Sequence, residues 1–322
     1  MLSLVDGKPI TIGEAHRLAQ NDLVSGNGPT SGSDVTVNHL HYSLLGDPAL
    51  ALNLPMHQIV VDSINGIPVA GAATLPMLKA GSIARMAGHI EGADDFRGVI
   101  TATVRDSKET VTCRLNDTGK DGAEKAFEYK DRTKTLYQGT DSVRGGKFTF
   151  SFAVPLDINY SNQSGLVNLY AVNTAKTLSA HGSSEQFTVG ESEEQKNDSI
   201  GPSIYCYLNS PSFVDGGNVN TTPFFVAKII DKDGINAAGS GIGHDLQLVI
   251  DGDMSKAYVL NSNFIYDFGT YTSGSTYYSI PQLEPGKHEL TFRAWDIQNN
   301  SSTVKLRFNV VKALSPALFD VA

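Results

Sequence analysis

Apolar residues change their spacing along this 322-residue chain, and the change divides it into segments. Near the start, Ala15, Leu18, Ala19 and Leu23 recur at helical intervals behind Thr11-Ile12-Gly13-Glu14. That quartet is a capping box: the Thr11 hydroxyl accepts from the Glu14 backbone N–H, and the Glu14 side chain returns to Thr11. The spacing predicts a helix over 12–24 whose apolar stripe needs a covering partner. The Gly-, Ser- and Asn-rich 25–34 reads as a loop, and 38–45 alternates as a strand that Asp47-Pro48 ends.

From residue 58 onward the period falls to two. Short alternating runs appear at 58–61, 99–104, 127–129, 148–154, 166–172 and 186–189. A second series follows at 203–208, 223–230, 246–250, 277–280, 288–295 and 304–311. Turn residues separate the runs at the interval of a β-sandwich. Between the series, 190–199 holds Glu191, Glu193, Glu194 and Asp198 with almost no apolar residue, the composition of a linker. The expected organisation is a helix-plus-strand segment over 1–55, a first sandwich over 56–190, a linker over 191–199, a second sandwich over 200–313 and a tail over 314–322.

The two β-series also read as a degenerate tandem repeat. Val99–Asp106 corresponds to Phe224–Asp231, and Leu169–Asn173 to Phe292–Asp296, at nearly the same interval. Two agreeing matches predict two sandwiches of similar topology in series.

Composition narrows the class. Hydrophobic content of 40% with 18% charged residues describes a globular chain, and a net charge of -9 argues against nucleic acid or an anionic membrane surface as partner. No apolar run approaches the roughly 18 residues of a membrane-spanning helix. Met1-Leu-Ser-Leu-Val-Asp6 has no basic and apolar leader pattern. Cys113 and Cys206 fall in different predicted domains, each in a strand context, which predicts buried or half-buried thiols and no disulfide.

Candidate chemistry is sparse. His39 and His41 share one face of the predicted strand, but no third ligand has diagnostic spacing. His244 closes the glycine-rich Gly239–Asp245, which lies between strands with no helix to cradle a phosphate. Asp231-Lys232-Asp233-Gly234 and Asp251-Gly252-Asp253 resemble pieces of calcium loops, with Asp198, Asp296 and Asn299 as further oxygen donors. Both lack a distal bidentate Glu, and strand-end turns use Asp and Gly for backbone reasons alone. Tyr266, Phe268, Tyr271, Tyr277 and Tyr278 offer aromatic faces for sugar stacking, whereas Trp295, in an alternating strand, reads as core. No residue is assigned a catalytic, cofactor-binding or metal role, and no cofactor is expected.

Gly13–Asn21 followed by Tyr42–Leu50 resembles the last helix and last strand of the gingipain-type cysteine peptidase domain. Phe127–Arg132, Phe150–Tyr160, Asp233–Asn236, Gly241–Asp245, Gly286–Leu290 and Ala294–Asp296 are similar to the β-rich region that follows that domain in the cell-surface sortase of the type IX secretion system. The resemblance implies a mainly β fold: two tandem immunoglobulin-like β-sandwiches preceded by a short α/β remnant of a peptidase domain. It implies a parent with cysteine peptidase or transpeptidase activity that cleaves C-terminal secretion signals and passes cargo to a surface anchor. The family's catalytic His and Cys precede its last helix, so no residue of this chain inherits their roles. Implied partners are the chain's own upstream catalytic domain, outer-membrane secretion components and cargo proteins, at the extracellular face of the outer membrane. A rival reading from another class is a surface adhesion or carbohydrate-binding module.

Overall fold

The structure, a computed structural model, describes residues 4–5, 8–25, 42–51, 55–113, 125–194, 198–238 and 243–312. It forms two compact units, Met1–Met56 and His57–Ala322.

In the first unit the predicted helix is present as α1 (Ile12–Val24), with the Thr11 hydroxyl accepting from the Glu14 N–H at 3.2 Å. Only half of the capping box forms. The Glu14 carboxylate turns to Arg17, at 2.8 and 2.6 Å, because a bidentate charge-assisted pair outcompetes a single backbone donor. The segment around Asp47-Pro48 supplies the missing acceptors: Ile12 N donates to Leu50 O at 2.9 Å and Gly13 N to Pro48 O at 3.0 Å. Residues 42–45 are not a strand, and Leu45 is 92% exposed. The rest of the strand expected over 38–45, with His39 and His41, lies outside the described residues.

The earlier half of the second unit is built mainly from β1 (His57–Ile64), β2 (Met77–Ala80), β3 (Ile83–Ile90), β4 (Gly98–Arg105), β5 (Thr135–Arg144), β6 (Lys147–Ala153), β7 (Leu166–Asn173), β8 (Ser179–Ser184) and β9 (Thr188–Ser192), with shorter strands between them. Seven of them close on themselves in the order β8-β7-β4-β5-β6-β3-β1, the ring completed by a parallel β1–β8 pairing at His57/Ala180 and Gln58/His181. A barrel-like sheet therefore replaces the two open sheets expected here. Closure needs close backbone approach at the seam, which Gly182 allows: a Cβ there would collide with the Ile59 carbonyl. A separate small sheet joins Gln163–Ser164, β9 and β2, and β9 reaches two residues into the expected linker.

Among the described residues nine further strands follow: β10 (Ser203–Leu208), β11 (Asn218–Val219), β12 (Phe224–Ile230), β13 (Gln247–Ile250), β14 (Ala257–Val259), β15 (Ile265–Tyr266), β16 (Ser273–Ser279), β17 (Gly286–Trp295) and β18 (Ser301–Val310). They form two sheets, β10-β12-β16-β15 and β11-β18-β17-β13-β14. Phe225 of one sheet meets Phe292 of the other at 5.2 Å, and both are fully buried.

The tandem repeat does not extend to topology. In the first half the matched strands β4 and β7 are antiparallel neighbours, whereas their counterparts β12 and β17 lie in different sheets. What the matched segments share is local. Asp106, Asp231 and Asp296 each follow an alternating strand and accept backbone N–H groups of the turn beyond. Any strand end can use that device.

Candidate functional site at the junction of the β-halves

The two β-halves of the second unit share side chains at one end. Asp157, on the segment after β6, reaches three loops of the later half. It accepts from Asn236 Nδ2 at 2.9 Å, from His244 Nδ1 at 2.8 and 3.0 Å, and from Asn299 Nδ2 at 3.4 Å. Asn236 is only 1% exposed, so its amide depends on these partners. His244 stands edge-on to Trp295 at 4.5 Å, and the Arg293 guanidinium lies 4.7 Å from the same indole. Trp295 is half-buried rather than core, and its Nε1 is buried without an acceptor. Burial and the Asp157 charge push the neighbouring Asp245 carboxyl up.

Apolar contacts and backbone bonds extend the junction. Tyr137 on β5 stacks on Phe152 at 5.2 Å and meets Tyr266 at 5.1 Å, joining the aromatic row of β6 to the later half. The Tyr266 hydroxyl donates to Ile235 O at 2.7 Å. Gly234, at φ +121°, packs where a Cβ would come within 2.6 Å of Ala153. Leu156 N donates to Ile297 O and Gly269 N to Thr140 O. A cleft of about 330 Å³ opens beside Tyr137, Thr135, Asn261, Phe264 and Tyr266.

The aspartates that resembled calcium loops find other uses. Asp231 Oδ1 accepts from Asp233 N and Gly234 N, and Asp296 binds the Gln298 and Asn300 backbone and the Asn300 amide. Burial raises both carboxyls. Lys232 Nζ sits 3.2 Å from Asp198 and 3.3 Å from Asp233, so a lysine supplies the positive charge. The Ile200 N–H, Asp233 and Lys232 hold the Asp198 carboxyl down at about 2. Asp253 caps the short turn at Ser255, and Asp251 binds His288 and the Glu289 N–H. Among the described residues, no three or more His, Cys, Asp or Glu side chains are grouped to hold a metal ion.

Both cysteines are free thiols. Cys206 is buried, and burial pushes its pKa up to about 12, which removes it as a nucleophile near neutral pH. Cys113 is half-buried beyond the strand Glu109–Thr112. Tyr271 is half-buried near Gly234, while Tyr277 is 44% exposed and stacks with Phe224 at 5.9 Å.

One solved structure is similar to this chain over nearly its whole length. In dimeric latent PorU from Porphyromonas gingivalis, a stretch 32% identical to this chain covers 97% of it, with a TM-score of 0.51. The chain resembles PorU. It spans only 29% of the PorU chain's length. Red sea bream transglutaminase also aligns, at 9% identity over 81% of this chain and 32% of its own, but its TM-score of 0.23 carries no argument. No family model matches the chain, and no curated protein does either.

Four of the segments that carry the family resemblance, Phe150–Tyr160, Asp233–Asn236, Gly241–Asp245 and Ala294–Asp296, supply Asp157, Asn236, His244 and Trp295. No single segment marks a site, and only folding brings them together.

Proposed function

We propose that the chain is a non-catalytic, PorU-like β-region of a type IX secretion sortase, working at the cell surface as a brace for a gingipain-type catalytic domain. The observation that carries this reading is 32% identity to PorU sustained over 97% of the chain. On the same reading, α1 and the Asp47–Leu50 segment that seals its N-terminus are the closing elements of the peptidase domain, and the β-halves are its following domains. The strand order of the later half supports an immunoglobulin-like assignment: β10-β12-β16-β15 corresponds to A-B-E-D, and β11-β18-β17-β13-β14 to A′-G-F-C-C′. The parent's proposed chemistry is cleavage of C-terminal secretion signals and transfer of cargo to a surface anchor. Its proposed partners are the catalytic domain, outer-membrane secretion components and cargo. Among the described residues no helix is long and apolar enough to cross a membrane.

Deleting codons 57–312 from the gene in its host tests the role. The expected outcome is surface cargo that keeps its C-terminal signal. Normal signal removal by the deletion strain overturns the brace. A thiol-directed active-site probe applied to this chain alone is expected to yield no activity-linked labelling of Cys113 or Cys206.

A second reading, a carbohydrate-binding module, draws support from the outward face of the sheet containing β10, β12 and β16. There Tyr205 and Tyr207 lie 5.8 Å apart, beside the Phe224–Tyr277 stack. Glycan binding lost on Tyr277→Ala and kept on Tyr271→Ala would favour it.

A further inference from the structure

His288 lies on β17, outside the Asp157 cluster, in a cleft of about 740 Å³. Its two ring nitrogens face two acceptors: Nδ1 is 2.7 Å from Asp251 Oδ2, and Nε2 is 2.8 Å from the Glu284 carbonyl oxygen. A carbonyl never donates, and an ionised carboxylate only accepts. A neutral imidazole carries one N–H, so it satisfies one of these partners and turns a lone pair on the other. Only the imidazolium satisfies both. The ring has little freedom to turn away. Phe308 stacks on it at 5.5 Å and 24°, and its side chain is 13% exposed.

The two acceptors belong to separate pieces of chain. Asp251 sits in the turn after β13 with φ +53°, and its other oxygen accepts from the Glu289 N–H at 3.0 Å. Glu284 precedes β17. The imidazolium therefore joins the turn, the approach to β17 and, through Asp251, the first residues of that strand. We propose that His288 is a proton-operated latch fastening the segment that leads into β17 to the Asp251 turn.

The charges around the latch come from every neighbouring element. Asp251 faces His288 from the β13 turn, Lys287 and Glu289 flank it on β17, Arg307 lies on β18, and Asp215 approaches from the segment before β11. Three of these charges are paired elsewhere: Arg307 binds Asp215 at 2.6 Å, and Glu289 binds Lys305 at 2.8 Å. Asp251 is thus the carboxylate in direct contact with the ring. Burial disfavours the charged form, yet the bonds to Asp251 and the Glu284 carbonyl outweigh it and hold the imidazole's pKa above its ordinary value. The sign follows from linkage. With the folded pKa raised, the latch contributes fully below the unfolded value of about 6.5 and is lost as pH rises through the folded value.

The test is a nitrogen-detected NMR titration of the full chain, together with hydrogen exchange of the Glu289 amide corrected for intrinsic base catalysis. The expected result is a His288 midpoint above the ordinary histidine value, with both ring nitrogens protonated at about pH 6. Glu289 protection should fall severalfold over the same interval. Asp251→Asn, which suits the left-handed backbone at that position, should lower the midpoint and shrink the fall. His288→Gln should abolish it. A midpoint at or below the ordinary value overturns the latch. So does a single protonated ring nitrogen at about pH 6, or an unchanged fall in protection in His288→Gln.

Discussion

Asp157 shows how much one carboxylate can organise. Its two oxygens serve donors from three loops, and Asn236 behind it is buried. Asp157→Ala removes the shared acceptor and strands the buried Asn236 amide and the half-buried His244 imidazole N–H, the buried group costing about 1–3 kcal/mol when unmet. Asn236 Nδ2 retains the Asn299 oxygen at 3.5 Å, which softens the loss. The expected outcome is a drop of about 2–3 kcal/mol in unfolding free energy of the His57–Ala322 unit, read by urea denaturation. A loss below about 0.5 kcal/mol, the range of an ordinary surface change, would remove Asp157 from this role. At Cys206 the same scale gives a chemical prediction. A thiol held at about 12 has almost no thiolate at neutral pH, so a disulfide reagent should leave it unmodified in the native chain and titrate it in denaturant. Fast modification of native Cys206 would contradict the burial that raises its pKa.

At the scale of elements, the seam of the barrel-like sheet depends on a residue that contributes no side chain. Gly182→Val places a branched side chain against the Ile59 carbonyl, so β1 and β8 must separate. The expected result is a loss of about 1–3 kcal/mol and selective loss of amide protection in His57–Val61 and Ser179–Ser184. Uniform loss of protection across the ring would place the strain elsewhere. This seam also explains why the ring was not legible in the sequence. The strands found by alternation are those with Val, Ile, Phe and Tyr on the buried face. β3 buries Ala84, Met86, Gly88 and Ile90, of which the small Ala84 and Gly88 lie opposite Phe152 and Phe148 of β6. β5 is rich in hydroxyls, and β8 reads Ser-Ala-His-Gly-Ser-Ser. These are the strands that turn two open sheets into a closed one, and their packing is set by their neighbours rather than by their own hydrophobicity. The helix was legible because its cap and stripe are local. The Asp157 cluster was not, because its partners lie 79, 87 and 142 residues away.

For the second unit as a whole, the question is whether two β-halves of unlike topology unfold as one. Tyr137 packs with Phe150 and Phe152 of its own half and with Tyr266 of the other, so its ring belongs to both cores. Burial pushes its hydroxyl up to about 12, with the Asp141 charge adding to the shift. Two halves joined by a flexible tether would each lose stability only through their own mutations. A shared core instead passes a local loss to both. Tyr137→Ala deletes a buried aromatic and should cost roughly 3–5 kcal/mol. The expected signature is one calorimetric transition shifted to lower temperature, with amide protection reduced in both β4–β6 and β12–β17. Tyr266→Phe, which removes only the hydroxyl bonded to Ile235 O, should cost about 1 kcal/mol and leave the transition single. If Tyr137→Ala splits the transition in two, with β17 and β18 keeping full protection, the halves are separable domains and the junction is contact without coupling.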